Sequence, residues 1–337
     1  MGTLACITRC TDLPAPYNEL QRTPRFSRRL NRSAKEFRLP SNLMLTNIPP
    51  QCPDSPFVVP SNANAMANHF RAFLATAWAV AFCRKLLLPL NVRLFRLACQ
   101  LIGVGNWHTP TASGEIRILR KLASTFDTVF DVGANKGQYL RQLLQYNPKA
   151  RVFAFEAQPE NFQELHRVPN VRSMNVAVGN RNGPTTIYDY ASDNTEHATL
   201  FPSVFSSFHS YSSPLKRFDV DMIALDTFCS GAQIDQIDFL KIDVEGGEFD
   251  VLLGCRQLLA RRAIKVIQFE FNVMNIHTGH LLRDFEALLD GYGLYRLCPT
   301  TLQELSTLPP VCKELFGYQN ILAVRTDLVR EITRQLR

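Results

Sequence analysis

From Phe126 onward, short apolar runs alternate with stretches whose apolar residues recur at helical spacing. The runs predict buried strands at Val129–Val132, Val152–Glu156, Val171–Val178, Phe239–Val244 and Val266–Phe271. The stretches between them predict helices at Gln138–Tyr146, Pro159–Arg167, Phe249–Arg262 and Leu281–Leu289. Strands and helices that alternate in this way predict a doubly wound, mostly parallel α/β sheet.

Weaker patterns complete this part of the chain. Thr185–Tyr190 alternates as an antiparallel strand would, and Phe218–Leu225 predicts another strand. Between them, Ala191–Phe218 is rich in serine and aromatic residues without a period, which predicts a long mobile loop. Late strands at Leu294–Cys298 and Gln319–Arg325 close the sheet.

Residues 1–65 differ from the rest in composition. They hold nine of the twenty prolines, several arginines and no regular apolar spacing. Such a stretch predicts a disordered arm. The alternatives are a transit-like arm and an over-extended start site, in which case translation begins at Met66. It lacks the continuous apolar core of a signal peptide.

Residues 66–113 form a basic, apolar segment that predicts helices, divided in two by Pro89. The uninterrupted apolar part, Ala72–Cys83, is too short to span a bilayer. Two interpretations stay open. We favour helices that pack on the main domain, and the alternative is peripheral contact with a membrane through residues 66–105.

The main domain is predicted at residues 114–330, and it begins with an amphipathic helix at Gly114–Ser124. The net charge of the chain is +7, but residues 126–337 hold 21 basic and 25 acidic side chains. The positive charge therefore belongs to the N-terminal third, and we expect no nucleic-acid binding by the main domain.

The nine cysteines are scattered and form no C-x-x-C pair. This spacing argues against a disulfide framework or a zinc site, and no other set of side chains predicts a tight metal site. Reduced thiols are typical of a cytoplasmic protein, and we expect this location.

The stretch TVFDVGANKGQY, residues 128–139, joins a buried strand to a helix through a glycine turn. Gly133 and Gly137 allow positive φ angles and a close approach of the backbone to a ligand. Asp131 lies in an otherwise apolar strand, where a carboxylate requires a partner. The spacing G-x-x-x-G differs from the G-x-G-x-x-G of dinucleotide-binding proteins.

Carboxylates also follow two other strands. Glu156 ends the second strand, where it can accept two hydrogen bonds from a ribose diol, as an adenosine cofactor requires. The alternative is a surface acid that caps the next helix. In KIDVEGGE, Asp243 and Glu245 can face a sulfonium charge or hold a hydroxyl group, and a helix-capping pair is the alternative.

Six motifs then follow one another along the chain: FDVGANKGQY, FAFEAQPENF, NVAVGNRNG, LDTF, FLKIDVEGGEFDVLLG and VIQFEF. Together, across roughly residues 115–325, they resemble the FkbM family of S-adenosylmethionine-dependent methyltransferases. The resemblance implies a Rossmann-like, seven-stranded class I methyltransferase sheet, mostly parallel with an antiparallel last strand. It also implies S-adenosyl-L-methionine as cofactor and O-methylation of a hydroxyl on a sugar, glycan or secondary metabolite.

The resemblance implies cofactor contacts at Asp131, Gly133, Asn135, Gly137, Glu156, Asn175 and Ala177. The glycine turn lies against the methionine part of the cofactor, Glu156 takes the ribose, and Asn175 and Ala177 lie near the adenine. Asp243 and Glu245 border the reacting centre.

A base can add about 10²–10⁴-fold to methylation of an alcohol, because the hydroxyl loses its proton. The candidates are Asp243, Glu245, Glu270 and His277, and the sequence does not choose among them. Two other functions stay open. A nicotinamide-dependent oxidoreductase is disfavoured by the glycine spacing, and a non-catalytic interaction or membrane-recruitment module by the intact strand-end acids.

Overall fold

A computed structural model describes residues 71–74, 76, 78, 85–106, 109, 111–190, 198–208 and 214–336. The predicted arm at residues 1–65 lies outside these residues, as does most of the first predicted helix.

The strands, in chain order, are β1 Thr128–Val132, β2 Arg151–Phe155, β3 Val171–Met174, β4 Ala177–Val178, β5 Gly183–Tyr190, β6 Leu215–Ile223, β7 Ile237–Ile242, β8 Ile264–Phe271, β9 Tyr292–Leu297, β10 Leu302–Glu304 and β11 Gln319–Arg325. The helices are α1 Leu88–Leu101, α2 Glu115–Leu122, α3 Gln138–Tyr146, α4 Pro159–Leu165, α5 Ser203–Phe208, α6 Leu225–Gly231, α7 Glu248–Leu253, α8 Arg256–Ala260, α9 Asn275–Thr278, α10 Leu282–Leu288, α11 Pro310–Lys313 and α12 Val329–Gln335.

The main sheet has eight strands in the order β10-β9-β11-β8-β7-β1-β2-β3. The run from β3 through β2, β1 and β7 to β8 is parallel, and β11 lies antiparallel between β8 and β9. This arrangement confirms the predicted doubly wound sheet with an antiparallel last strand. The short strand β10 pairs antiparallel with β9 and adds an eighth strand at the edge.

Helices cover both faces of this sheet, so its central strands are apolar throughout. All five residues of β1 are buried. Val129 packs with Leu119 and Leu140 on one face, whereas Phe130 packs with Leu225 and the rest of the cluster on the other. A strand buried on both faces has no polar alternation, which explains why the sequence pattern predicted these strands well.

The third predicted strand, Val171–Val178, is wrong as a single element. It ends at Met174, and Ala177–Val178 pairs instead with β6 in a second sheet of order β4-β6-β5. The side chain of Asn175 causes the departure, because its Nδ2 donates to the carbonyl oxygens of Glu156 at 2.8 Å and Ala157 at 3.1 Å. These bonds hold the chain beside the end of β2 after it leaves the sheet.

The predicted loop 191–218 is partly wrong. Residues 191–197 and 209–213 lie outside the described part of the chain, but α5 occupies Ser203–Phe208 and β6 begins at Leu215. The strand predicted at Phe218–Leu225 therefore starts earlier, and it ends at Ile223 because Leu225 begins α6.

The helix predicted at Phe249–Arg262 forms as two, α7 and α8, which separate at Gly254. A Cβ atom on Gly254 would lie 2.1 Å from the carbonyl oxygen of Gly179. The two backbones thus touch here, and this contact between distant parts of the chain divides the helix.

Helix α1 corrects the favoured interpretation of the N-terminal segment. Pro89 lies in its first turn, and none of its residues is buried. The chain after it is attached to the domain: the guanidinium of Arg296 donates to the carbonyl oxygen of Ile102 at 3.2 Å, and the backbone N–H of Gly105 donates to that of Tyr318 at 2.7 Å. Among the described residues, none of the helices has the length and apolar character to cross a bilayer.

Candidate functional site

Two cavities open at the carboxyl ends of the parallel strands. The larger, about 710 Å³, is lined by residues that follow β1, β2, β7 and β8 and by parts of the second sheet. The smaller, about 240 Å³, lies between α2, α3 and β7. Gly133, Asn135 and Asp243 line both cavities, so the glycine turn stands between them.

The glycine turn requires its first glycine for a reason within the protein. Gly133 has a φ angle of 79°, and a Cβ atom there would lie 1.8 Å from the carbonyl oxygen of Asp243. Gly137 also has a positive φ, but it lines neither cavity, and its Cβ would press on Val168 at 2.9 Å. The backbone at Gly133 therefore lies close to the turn that holds Asp243. Gly137 lies close to Val168, so it allows the start of α3 to pack.

Asp131 is buried, and neither of its carboxylate oxygens has a hydrogen-bond partner among the described residues. Burial raises its pKa to about 6, and the positive charge of Lys241 opposes that rise. Asp131 lines the smaller cavity together with Tyr139, whose hydroxyl also lacks a described partner. A buried carboxylate without donors suits a ligand with a cationic donor, and the ammonium group of S-adenosylmethionine meets that requirement.

Lys241 and Asp243 form an ion pair between these cavities. The Nζ atom of Lys241 lies 2.7 Å from a carboxylate oxygen of Asp243, and the lysine side chain is 7% exposed whereas that of the aspartate is 37% exposed. The ammonium group also lies 5.3 Å from the centre of the Tyr139 ring. The pair fixes the direction of Asp243 and balances its charge.

Glu156 connects the first two turns of the sheet edge. One of its oxygens accepts the N–H of Asn135 at 2.7 Å, and the other accepts the N–H of Gln158 at 2.8 Å. Burial raises its pKa to about 7, although these two hydrogen bonds lower it. The alternative of a surface capping acid is wrong, because Glu156 is buried and Gln158 caps α4 by accepting the N–H of Asn161.

The lining beyond Glu156 is mostly apolar and suits a flat ring. It consists of Phe155, Val176, Ala177, Val178, Ile187 and Leu200. Ala177 belongs to this lining, and its contact with adenine stays a prediction. Asn175 does not line the cavity, and its part is to direct the chain into β4.

The other end of the larger cavity is acidic. Asp243, Glu245 and Glu270 line it, together with the polar side chains of Asn272 and Tyr318. The backbone of Glu245 has a φ angle of 55°, and the hydroxyl of Thr199 donates to its carbonyl oxygen at 2.7 Å. This end combines hydrogen-bond acceptors with room for a polar substrate.

Burial, with the negative charges of Asp243, Glu245 and Glu248, raises the pKa of Glu270 well above its usual value. Glu248 lies behind the same turn, where it accepts the N–H groups of Val244 and Gly246 at 3.1 and 3.2 Å. Burial raises the pKa of Glu248 to about 8. The acidic end of the larger cavity and the turn behind it therefore hold two carboxyl groups, those of Glu270 and Glu248, whose raised pKa favours the protonated form.

His277 belongs to the short helix α9 and lines neither cavity, although the neighbouring Asn272 and Met274 line the larger one.

Sequence reasoning missed Lys241, Tyr318 and Thr199. Lys241 carried a readable signal, because a lysine within the apolar strand FLKIDV requires a buried anion. Tyr318 precedes the last strand and Thr199 belongs to the predicted loop, and no local pattern marks either as part of the site. Among the described residues, no group of three or more His, Cys, Asp or Glu side chains is placed to hold a metal ion.

Residues 131–293 match the family model of the methyltransferase FkbM domain. The matched span holds the glycine turn, Glu156 and the acids that follow β7 and β8. Fold, site and match together define a methyltransferase that uses S-adenosyl-L-methionine. The matched residues, just under half of the chain, are similar to this FkbM domain.

Two relatives are methyltransferases. The chain is 29% identical over 208 residues to the 2-O-methyltransferase NoeI of Sinorhizobium fredii, which covers 56% of this chain and 83% of the relative. It is 26% identical over 187 residues to the hexuronic acid methyltransferase AglP of Haloferax volcanii, and this alignment covers 54% of this chain and 71% of the relative. A solved structure, the methyltransferase FkbM from Methylobacillus flagellatus, aligns with a TM-score of 0.36 at 14% identity and covers 58% of this chain and 43% of that chain.

Proposed function

We propose that the protein transfers a methyl group to a hydroxyl oxygen of a sugar, either on a glycan or as a small molecule. The observation that carries the proposal is one cavity with the buried carboxylate of Glu156 toward one end and several carboxylates at the other. The names of the two relatives, a 2-O-methyltransferase and a hexuronic acid methyltransferase, support this class of acceptor.

The cofactor-binding residues in this proposal extend from the smaller cavity to the apolar end of the larger one. Asp131 accepts hydrogen bonds from the ammonium end of the cofactor, and Asn135 lies between the two cavities. Glu156 uses its remaining lone pairs for the ribose hydroxyls, and Ala177 lies against the adenine. Gly133 lets the turn approach Asp243, and Gly137 shapes the start of α3.

When bound, the cofactor supplies a methyl group on a positively charged sulfonium sulfur. Asp243 and Glu245 would then border the reacting centre on the side of the acceptor. Asp243, fixed by Lys241, accepts a hydrogen bond from a sugar hydroxyl next to the reacting one and so orients the acceptor toward the methyl group. His277 is not part of this assignment, because it lines neither cavity.

The test of this assignment is Asp243→Asn, which keeps the shape of the side chain and removes its charge. We expect the single-turnover rate to fall about 10²-fold or more, with cofactor affinity nearly unchanged. The acceptor for this assay comes from a screen of neutral sugars and hexuronic acids, and S-adenosylmethionine and NAD are titrated alongside. Asp290→Asn, an exposed acid outside the site, is the matched control.

If affinity falls in step with the rate, Asp243 is a cofactor ligand and the assignment is wrong. If NAD binds and S-adenosylmethionine does not, the cofactor itself is wrong. If neither rate nor affinity changes, the acceptor is oriented by another group of the acidic end.

We also propose that the protein works in the cytoplasm and touches a membrane peripherally through residues 66–105. Two observations support this. Helix α1 presents apolar and basic side chains with none buried, and the five described cysteines are free thiols, as in a reducing compartment.

A further inference from the structure

Glu270 occupies a place that the proposed function leaves without a role. It lies on β8, and the parallel register Ile242↔Phe269 puts it beside Asp243 at the carboxyl end of the adjacent strand. On its other side it pairs with Asn320 of β11. Its side chain lines the larger cavity and accepts a short hydrogen bond from the amide of Asn272.

The two neighbouring carboxyl groups differ in their counter-charge. Asp243 has the ammonium group of Lys241 at 2.7 Å. The described ion pairs include none with Glu270, and the titratable groups that act on it are the acids Asp243, Glu245 and Glu248. The hydroxyl of Tyr318 lines the same cavity, and the negative charge of Glu270 helps to raise its pKa.

Burial and the neighbouring acids favour the protonated form of Glu270, and the one described ammonium group beside them, that of Lys241, is paired with Asp243. A positive charge in the same cavity attracts a carboxylate and so lowers the affinity of Glu270 for its proton. A cation that binds in this cavity therefore favours release of the proton from Glu270 to solvent.

We propose that Glu270 is the base of methyl transfer and that the charge of the cofactor switches it: the carboxylic acid releases its proton when the sulfonium binds and takes the hydroxyl proton of the acceptor as the methyl group is transferred. This inference rests on the proposed function. In the step, the acceptor oxygen forms its bond to the methyl carbon, the sulfur–carbon bond breaks and its electron pair stays on sulfur, and the hydroxyl proton passes to Glu270.

Loss of the sulfonium charge then completes the cycle. The product S-adenosylhomocysteine is neutral at sulfur, so the acid surroundings again favour the protonated carboxyl group. Glu270 thus accepts the proton when the chemistry requires it and holds it until the cofactor is exchanged.

The test compares the two cofactor forms, which share the ammonium, carboxylate, ribose and adenine groups. Titration of Asp131 and Glu156 affects both ligands alike, so the difference between them isolates the sulfonium charge. Isothermal titration in two buffers of different ionisation enthalpy, at about pH 7.5, measures the protons released. We expect S-adenosylmethionine to release up to about one proton more than S-adenosylhomocysteine, so that its Kd tightens up to about tenfold more per pH unit.

Glu270→Gln, which resembles the protonated acid, should abolish this difference and keep the affinity for S-adenosylhomocysteine. Glu248→Gln is the matched control, because Glu248 is also a buried acid of raised pKa but does not line the cavity. It should keep the difference. Equal proton release by both ligands, a difference that survives Glu270→Gln, or one that disappears in Glu248→Gln would overturn the inference. Failure of S-adenosylmethionine to bind at all would instead contradict the proposed function.

Discussion

Glu156 shows how a single carboxylate can shape a site and also serve it. Its oxygens accept backbone N–H groups from the turns after β1 and β2, which keeps the two turns at a fixed separation. The remaining lone pairs of the same oxygens can accept ribose hydroxyls. Loss of the side chain therefore removes ligand contacts and loosens the turn that carries Asn135.

We predict that Glu156→Ala weakens cofactor binding by on the order of 1–3 kcal/mol, the cost of losing charge-assisted hydrogen bonds. Isothermal titration measures the change, and thermal melting checks the fold. Glu160→Ala is the control, because Glu160 is an exposed acid in the first turn of α4. An unchanged affinity in a folded Glu156→Ala protein would remove Glu156 from the ribose role.

At the scale of residues, the sequence marked the acids of the site but not their partners. Asp131, Glu156 and Asp243 stand out because each follows or interrupts an apolar run, where an unpaired carboxylate is costly. The pairing of Asp243 with Lys241 did not follow from the sequence, since it depends on side-chain directions at the end of β7. Tyr318 is brought to the cavity by strand order alone.

Among the elements, α1 is the one whose exposed surface does not suit water. Leu90, Leu94, Leu97 and Leu101 recur along one stripe, and Leu101 is 76% exposed. No acidic residue occurs between Asp54 and Glu115, whereas several arginines do. An apolar stripe flanked only by positive charge is complementary to an anionic lipid surface.

We predict that the protein sediments with vesicles containing phosphatidylglycerol and far less with vesicles of phosphatidylcholine alone. The double variant Leu94→Glu, Leu97→Glu should lose most of this binding, because it puts two negative charges into the stripe. Val311→Glu is the control, since Val311 is 75% exposed but belongs to α11. Equal loss in both variants, or no vesicle binding by the unmodified chain, would contradict a lipid-binding α1.

The sequence predicted the boundaries of an element where local burial determines them. It did not predict the boundaries that a contact with a distant part of the chain determines. Helix α3 has the predicted bounds because its period and the glycine turn before it are local features. The ends of β3 and α7 depend on Asn175 and on the contact between Gly254 and Gly179, which join parts of the chain far apart in sequence.

For the molecule as a whole, the described sheet and site begin well after the predicted arm. We predict that a chain beginning at Met66 melts at the same temperature as the full chain and binds S-adenosylmethionine equally. The reason is that residues 1–65 carry little apolar pattern with which to pack. Differential scanning calorimetry and cofactor titration measure both properties, and a large loss in either would show that the arm packs on the domain.

The buried acids also make stability depend on pH. The pKa values of Asp131, Glu156 and Glu248 are raised by burial to about 6, 7 and 8. A carboxyl group with a raised pKa in the folded state contributes stability below its unfolded pKa, and that contribution is lost as pH rises through the folded value. The free energy of unfolding should therefore fall between about pH 5 and pH 8, by up to roughly 1.4 kcal/mol per pH unit for each group.

We predict that Glu248→Gln flattens this decline above about pH 7 in the protein without cofactor. The amide keeps an oxygen to accept the N–H groups of Val244 and Gly246 and does not ionise. Melting temperatures across the pH range measure the effect. Glu314→Gln is the control, because its oxygens accept backbone N–H groups in the same way and it lines neither cavity. Parallel curves for Glu248→Gln and the unmodified protein would contradict the prediction.

The fully buried guanidinium of Arg296 joins three separate parts of the chain. It donates to the carbonyl oxygens of Ile102, Cys312 and Lys313 and to the side chain of Gln319. Proteins open locally in cooperative units that native-state hydrogen exchange detects. Because the chain after α1 and the last strand are held by the same buried side chain, we expect them to gain or lose protection from exchange together.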